Sequence, residues 1–222
     1  MRPTIENTSS DLKKERQKLV NSLLFPFLFV SIIWMVKVLE IEEGFSFVKL
    51  GIYPRKFSGL IGIITSPFIH GDFQHLINNS LPLFILTTAV FYFYEELAYR
   101  VFFLIYLMVG LWVWFGARPA YHIGASGLIY GLGAFLFVSG IIRRYPKLLA
   151  ISLLVAFLYG SMVWGILPIQ EEISWESHLL GAFAGIILSF YFRKIGPQRP
   201  VPEFILEEEA DEDGEESEEP VY

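Results

Sequence analysis

The sequence predicts an all-α polytopic membrane protein, and its composition, apolar blocks and charge distribution all support this fold class. Of its 222 residues, 54% are hydrophobic and 17% aromatic, whereas a soluble domain is usually about 45–50% apolar. Because a helix satisfies its own backbone hydrogen bonds in lipid and needs roughly 20 apolar residues to cross it, we expect six transmembrane helices. The six apolar blocks are residues 19–39, 75–94, 97–115, 126–142, 148–167 and 177–191.

The lysines and arginines predict that both termini are cytoplasmic, since these residues favour the cytoplasmic side of a membrane. With the N-terminus inside, the outer loops hold only Lys49, Arg55, Lys56 and Arg118. Lys37, near the end of the first span, is interpreted as snorkelling to the interface. The inner segments hold Arg2, Lys13, Lys14, Arg16, Lys18, Arg100, Arg143, Arg144, Lys147, Arg193, Lys194 and Arg199.

Three regions follow from this pattern. Residues 1–18 form a cytoplasmic N-terminal segment, residues 19–195 a six-helix domain, and residues 196–222 an acidic tail. The tail is of low complexity and accounts for most of the net charge of −6, so we expect it to be disordered. The sequence contains no cysteine, which excludes disulfides, thiol catalysis and cysteine-ligated metal. No basic stripe indicates nucleic-acid binding, and we expect no cofactor and no metal.

Polar residues lie near the outer ends of three spans. His75 and Asn79 begin the second span, Ser126 the fourth and His178 the sixth. Each alone has an ordinary explanation: a serine between glycines usually packs helices, a boundary histidine is often interfacial, and an asparagine can link two helices. Intramembrane polar groups are costly and usually face the bundle interior or a cavity. Four of them at one depth therefore predict a site.

Glycine spacing predicts which two spans meet at this site. His178, Gly181 and Gly185 share one face of the sixth span, and Gly127 follows Ser126 in the fourth. Small residues at four-residue spacing let helix backbones approach closely, and this packing would bring Ser126 near His178. A general base must come within about 2.6–3.2 Å of the nucleophile that it deprotonates. The spacing therefore favours Ser126 as nucleophile and His178 as base.

Other chemistries fit the sequence less well. His70 and His75 are five residues apart and lack the H-E-x-x-H pattern of a zinc protease. A Ser–Lys dyad would need an outer lysine inside the bundle. Glu176, two residues before His178, is expected to face water and to give the histidine no acidic partner. The backbone N–H of Ser126 begins a helix and has no intrahelical partner, so it can donate to an oxyanion, as can Asn79 and His75.

These residues resemble the rhomboid family of intramembrane serine proteases. The stretch Gly124-Ala125-Ser126-Gly127 matches the family's G-x-S-G motif at the start of the fourth helix. The H-x-x-x-N motif of the second helix is matched by His75 and Asn79, with His70 as a further histidine before it. The sixth helix matches H-x-x-G-x-x-x-G, and Tyr130 matches the tyrosine that packs under the imidazole.

The resemblance implies a six-helix rhomboid-like bundle and a catalytic dyad of Ser126 and His178 without a third acid. It implies an oxyanion hole formed by the Ser126 backbone, Asn79 and His75, with Tyr130, Gly127, Gly181 and Gly185 as supporting residues. It also implies single-span membrane proteins as substrates, cut within or beside the span. His122, which has no counterpart in these motifs, is interpreted as an interfacial histidine.

Two other functions stay open. A catalytically inactive rhomboid-like protein would bind transmembrane segments without cutting them, but such proteins usually lack the serine or the histidine. A transporter or channel would more naturally show broken helices and charged residues at mid-depth. A short chain without a transit peptide suits the plasma membrane of a bacterium, with the site opening to the outer side. The oligomeric state does not follow from the sequence.

Overall fold

The computed structural model describes residues 5–158, 165–168 and 174–197. Across these ranges the chain forms seven α-helices and no strand, with short 3₁₀ turns between α1 and α3. The prediction of an all-α fold is therefore confirmed. The helices are α1 (Ile5–Glu42), α2 (Gly62–Thr65), α3 (Phe73–Phe93), α4 (Ala98–Gly116), α5 (Ser126–Arg143), α6 (Pro146–Leu158) and α7 (Trp175–Tyr191).

Within the described residues, four helices are long and apolar enough to cross a membrane: α3, α4, α5 and the part of α1 from Leu12 to Glu42. The two last helices are shorter in the described ranges, with 13 residues in α6 and 17 in α7. Part of the predicted fifth span, and residues 198–222 of the predicted acidic tail, lie outside the described residues. The count of six spans and the cytoplasmic position of both termini stay predictions.

Local signals in the sequence begin the helices that carry the polar residues. Asp72 caps α3: its carboxylate accepts a hydrogen bond of 2.7 Å from the backbone N–H of His75, and this bond lowers the pKa of Asp72. Before α5, Gly124 has a φ of +97°, a conformation that glycine adopts without a Cβ clash. The turn at Gly124 makes Ser126 the first residue of α5.

The α5 helix lies at the centre of the bundle and contacts α3, α4, α6 and α7. Its approach to α7 depends on glycine. A Cβ at Gly181 would overlap the carbonyl oxygen of Gly127, and a Cβ at Gly185 would overlap that of Gly131. Such close contact is typical of glycine-mediated helix packing. The expected approach of these two helices through their glycines is present.

A buried arginine joins the other ends of α5 and α7. The Arg143 guanidinium donates hydrogen bonds to the carbonyl oxygens of Phe192 at 2.6 Å, Ile195 at 2.7 Å and Pro197 at 3.1 Å. These carbonyls belong to the residues that follow α7, which ends at Tyr191, so Arg143 joins the segment after α7 to the end of α5. The two helices are thus held together at both ends.

The interpretation of Lys37 as snorkelling is wrong. Its side chain is buried, forms an ion pair with Glu40 at 2.7 Å and donates to the carbonyl oxygens of His70 and Gly71, each at 3.0 Å. The segment between α1 and α3 covers the end of α1 and offers these carbonyls, so the ammonium finds partners inside the protein. Lys37 thereby fixes the backbone that leads into α3.

Candidate active site

The structure brings Ser126 and His178 into direct contact. Ser126 is the first residue of α5, and His178 lies buried in the first turn of α7. The Ser126 Oγ lies 2.7 Å from the His178 Nε2, within the range required for proton transfer to a general base. The glycine contacts of α5 and α7 begin beside the dyad, since Gly127 directly follows Ser126 and Gly181 lies one turn after His178.

The second nitrogen of the His178 ring defines its tautomer. The His178 Nδ1 lies 2.8 Å from the carbonyl oxygen of Gly165. A carbonyl can only accept a hydrogen bond, so Nδ1 carries the proton and Nε2 of the neutral ring is the acceptor for the Ser126 hydroxyl. The carbonyl of Gly165 thus fixes the orientation and tautomer of the ring, as the aspartate does in a Ser-His-Asp triad, without adding a negative charge. Sequence analysis missed Gly165, and nothing in the sequence marks it.

Tyr130 packs against one face of the His178 imidazole. The rings of Tyr130 and His178 lie parallel within 10°, with their centroids 4.3 Å apart. A Cβ at Gly165 would overlap the Tyr130 hydroxyl and lie 3.0 Å from the His178 Nδ1. Only glycine fits at this position without displacing both rings. The imidazole is therefore fixed by a hydrogen bond on one edge and a ring stack on one face.

The polar residues of α3 face the turn before Ser126. A Cβ at Gly124 would lie 2.7 Å from the His75 Nε2 and 3.6 Å from the Asn79 Nδ2, so both side chains lie against this turn. Asn79 is 5% exposed, and its Nδ2 makes no hydrogen bond in the described part of the chain. The site thus contains a buried amide donor directed to the region of the nucleophile.

His70 lies behind His75. The two rings meet edge to face with centroids 4.9 Å apart, and His70 is 1% exposed. Burial first, and the neighbouring His75 second, lower the pKa of His70 to about 3. His70 is therefore a neutral packing partner of His75 at physiological pH.

Comparison with known families gives this constellation its context. The Rhomboid domain family matches residues 58–195, well over half of the chain. The chain belongs to the rhomboid family. The resemblance in the motifs is thus confirmed, and the family together with the long apolar helices makes this rhomboid a multi-pass membrane protein.

Three relatives are similar to this chain over much of its length. An uncharacterised protein of Mycobacterium tuberculosis (strain H37Rv) is 34% identical over 176 residues, which cover 73% of this chain and 71% of that protein. An uncharacterised protein of Mycobacterium leprae is 30% identical over 174 residues, covering 73% and 68%. YdcA of Bacillus subtilis (strain 168), named as a candidate rhomboid protease, is 30% identical over 141 residues, covering 58% and 65%.

Two sequence interpretations near the site of this rhomboid are wrong. Glu176 does not face water: it is buried, and its Oε1 accepts a hydrogen bond of 3.3 Å from the backbone N–H of Arg118. His122 is not interfacial but 2% exposed, with its Nδ1 2.5 Å from the Ser174 Oγ. Burial lowers the pKa of His122. Both errors have one cause, because the loop between α4 and α5 folds over the start of α7.

Proposed function

We propose that this rhomboid is an intramembrane serine endopeptidase that cuts single-span membrane proteins within or beside the span. The observation that carries the proposal is the hydrogen-bonded chain from the Gly165 carbonyl through His178 to the Ser126 hydroxyl. A serine is a weak nucleophile until an adjacent, oriented base removes its proton, and this chain supplies such a base.

The reaction uses the dyad twice. The Ser126 Oγ attacks the carbonyl carbon of the scissile peptide bond while its proton moves to the His178 Nε2, and the carbonyl electrons move onto oxygen. The imidazolium then gives this proton to the leaving amine, the C–N bond breaks, and the acyl group stays on Ser126. A water molecule, deprotonated by His178, attacks the acyl-enzyme and releases the second product.

The charge on the intermediate is stabilised from two sides. The Ser126 backbone N–H lies at the start of α5, where it has no intrahelical partner. The buried Asn79 Nδ2 is the second donor, and the adjacent His75 is the third. Loss of one such donor typically costs about 2.7–4 kcal/mol of transition-state stabilisation.

The catalytic domain in this proposal comprises residues 19–195, which cross the bilayer six times with both termini in the cytoplasm. The dyad then lies near the outer end of its spans, in the plasma membrane of a bacterium. The partners are lipid and the transmembrane substrate, and the chemistry uses no cofactor, metal or nucleic acid. Residues 1–18 and the acidic tail 196–222 lie outside the catalytic domain.

The test is cleavage of a panel of single-span membrane proteins by detergent-solubilised protein, with the cut mapped by mass spectrometry. We expect cleavage by the wild type and none by Ser126→Ala or His178→Ala. The double variant should be no worse than either single variant, because the effects of residues that act as one unit are non-additive. Ser126→Ala should keep the melting temperature of the wild type. Capture of an uncut span by a wild-type protein that cleaves nothing would support the inactive, span-binding alternative instead.

A further inference from the structure

His122 is a buried histidine for which the proposed reaction has no use. Its ring lies between the loop that joins α4 to α5, which carries it, and the start of α7. The His122 Nε2 lies 3.1 Å from the carbonyl oxygen of Arg118, and its Nδ1 lies 2.5 Å from the Ser174 Oγ. Since the carbonyl can only accept, Nε2 carries the proton and Nδ1 accepts from the Ser174 hydroxyl.

The two partners occupy equivalent places relative to the dyad. His122 lies four residues before Ser126, and Ser174 lies four residues before His178. On the other side of the dyad, α5 and α7 meet where Gly181 lies against the carbonyl of Gly127. The nucleophile and the base are therefore enclosed between two contacts of the same pair of segments.

The segment that carries His122 is itself fixed. The backbone of His122 donates to the Ile52 carbonyl at 2.8 Å and accepts from the Ile52 N–H at 3.0 Å, and the N–H of Gly124 donates to the Ser66 carbonyl at 2.9 Å. A second link runs parallel to the first, because the N–H of Arg118 donates to Glu176 in α7. His122 thus connects a rigid loop to the start of α7.

We propose that His122 is a positioning residue, which acts through Ser174 to set the distance between Ser126 and His178. The glycine contacts and the Arg143 link lie on one side of the dyad. On its other side, the start of α7 is joined to the loop between α4 and α5 by the hydrogen bond from Arg118 to Glu176 and by the contact between His122 and Ser174. Because about 1 Å of misplacement can cost 10²-fold in rate, this contact controls how fast the serine reacts. The inference rests on the proposed function.

The experiment measures the dyad without a protein substrate. A fluorophosphonate forms a bond between its phosphorus and the Ser126 oxygen as fluoride leaves and the serine proton passes to His178, so the labelling rate reports the activated serine. We compare Ser174→Ala, Ser174→Thr and His122→Phe with the wild type, together with kcat, KM and melting temperature. Ser189→Ala is the matched control, because Ser189 is buried in the same helix and donates its hydrogen bond to Ile186 of that helix.

We expect Ser174→Ala to lower the labelling rate and kcat about tenfold with KM within about twofold, and Ser174→Thr to restore both because it keeps the hydroxyl. His122→Phe should lose about 10²-fold, with the double variant no slower. Ser189→Ala should match the wild type. Folded Ser174→Ala and His122→Phe proteins that label at the wild-type rate would overturn the inference while the proposed function stands. If the wild type, like the Ser126→Ala variant, shows neither labelling nor cleavage, both the inference and the proposed function would be overturned.

Discussion

The two sides of the candidate site are prepared to different degrees. On the side of α5 and α7, both ring nitrogens of His178 have partners, and the ring is stacked on Tyr130. On the side of α3, the amide nitrogen of Asn79 is buried and makes no hydrogen bond with the residues that the structure describes. The two groups proposed for proton transfer are thus hydrogen-bonded to each other in the structure, whereas the Asn79 amide is available to a substrate oxygen in the proposed reaction.

The contact between α5 and α7 is also more tightly packed than the contact between α3 and α5. The α5–α7 contact is glycine against backbone carbonyl, and it has no space for a Cβ. The α3–α5 contact is formed by side chains, and a Cβ at Gly133 would meet Leu86 Cδ1 at an ordinary 3.6 Å. The side that holds the dyad is thus the less tolerant one.

The largest effect is expected at Gly181. A Cβ in Gly181→Ala overlaps the Gly127 carbonyl and pushes α7 from α5, so cleavage should fall more than 10²-fold and the free energy of unfolding by about 1–3 kcal/mol. The measurement is cleavage and thermal denaturation in detergent. Gly133→Ala is the control, and it should keep activity and melting temperature. Normal cleavage by Gly181→Ala would contradict the dyad geometry.

Asn79→Ala should lower kcat about 10²–10³-fold with little change in KM, since an oxyanion donor acts in the transition state. Asn78→Ala is the control: Asn78 is the neighbouring residue on the exposed face, bonded to Gln74, and its removal should not alter kcat. A change confined to KM would make Asn79 a binding residue.

Tyr130→Leu should lower kcat about tenfold, because a ring stack contributes about 0.5–1.5 kcal/mol and the imidazole would then be held only by its hydrogen bonds with Gly165 and Ser126. Tyr130→Phe, which keeps the ring, should lose less. Steady-state kinetics on one substrate measures both variants. Equal losses for the two variants would assign the effect to the hydroxyl group.

The smallest expected effect is on stability at acid pH. The pKa of His70 is lowered to about 3 by burial, against about 6.5 in an unfolded chain. Between these values the unfolded chain binds one more proton, so the free energy of unfolding falls with decreasing pH, by at most about 1.4 kcal/mol per pH unit. Melting temperatures at pH 7 and pH 5 should therefore differ less in His70→Phe than in the wild type. An unchanged difference would contradict a neutral His70.

Sequence and structure agree where the helical period decides the outcome. Ser126, His178 and the glycines lie on regular helices, so their spacing indicates a shared face. The hydrogen-bond partners that the sequence did not predict involve segments between the helices, where no helical periodicity indicates which residues meet. The Gly165 carbonyl is 13 residues from His178, the carbonyl of His70 is 33 from Lys37, and Arg118 is 58 from Glu176. A backbone carbonyl also cannot be recognised from the type of its residue. In the sequence, Lys37 and Glu176 do not differ from solvent-exposed charged residues at the ends of spans, although both are buried.

The carbonyl of Gly165 has a consequence for genetics. Every amino acid carries the same main-chain oxygen, so no missense change deletes the group that orients His178. Yet any replacement of Gly165 by another amino acid adds a Cβ that overlaps the Tyr130 hydroxyl and lies 3.0 Å from the His178 Nδ1. A saturation screen for loss of function should therefore find no third side chain to complete a triad. It should instead recover nearly every allele of Gly165, including alanine.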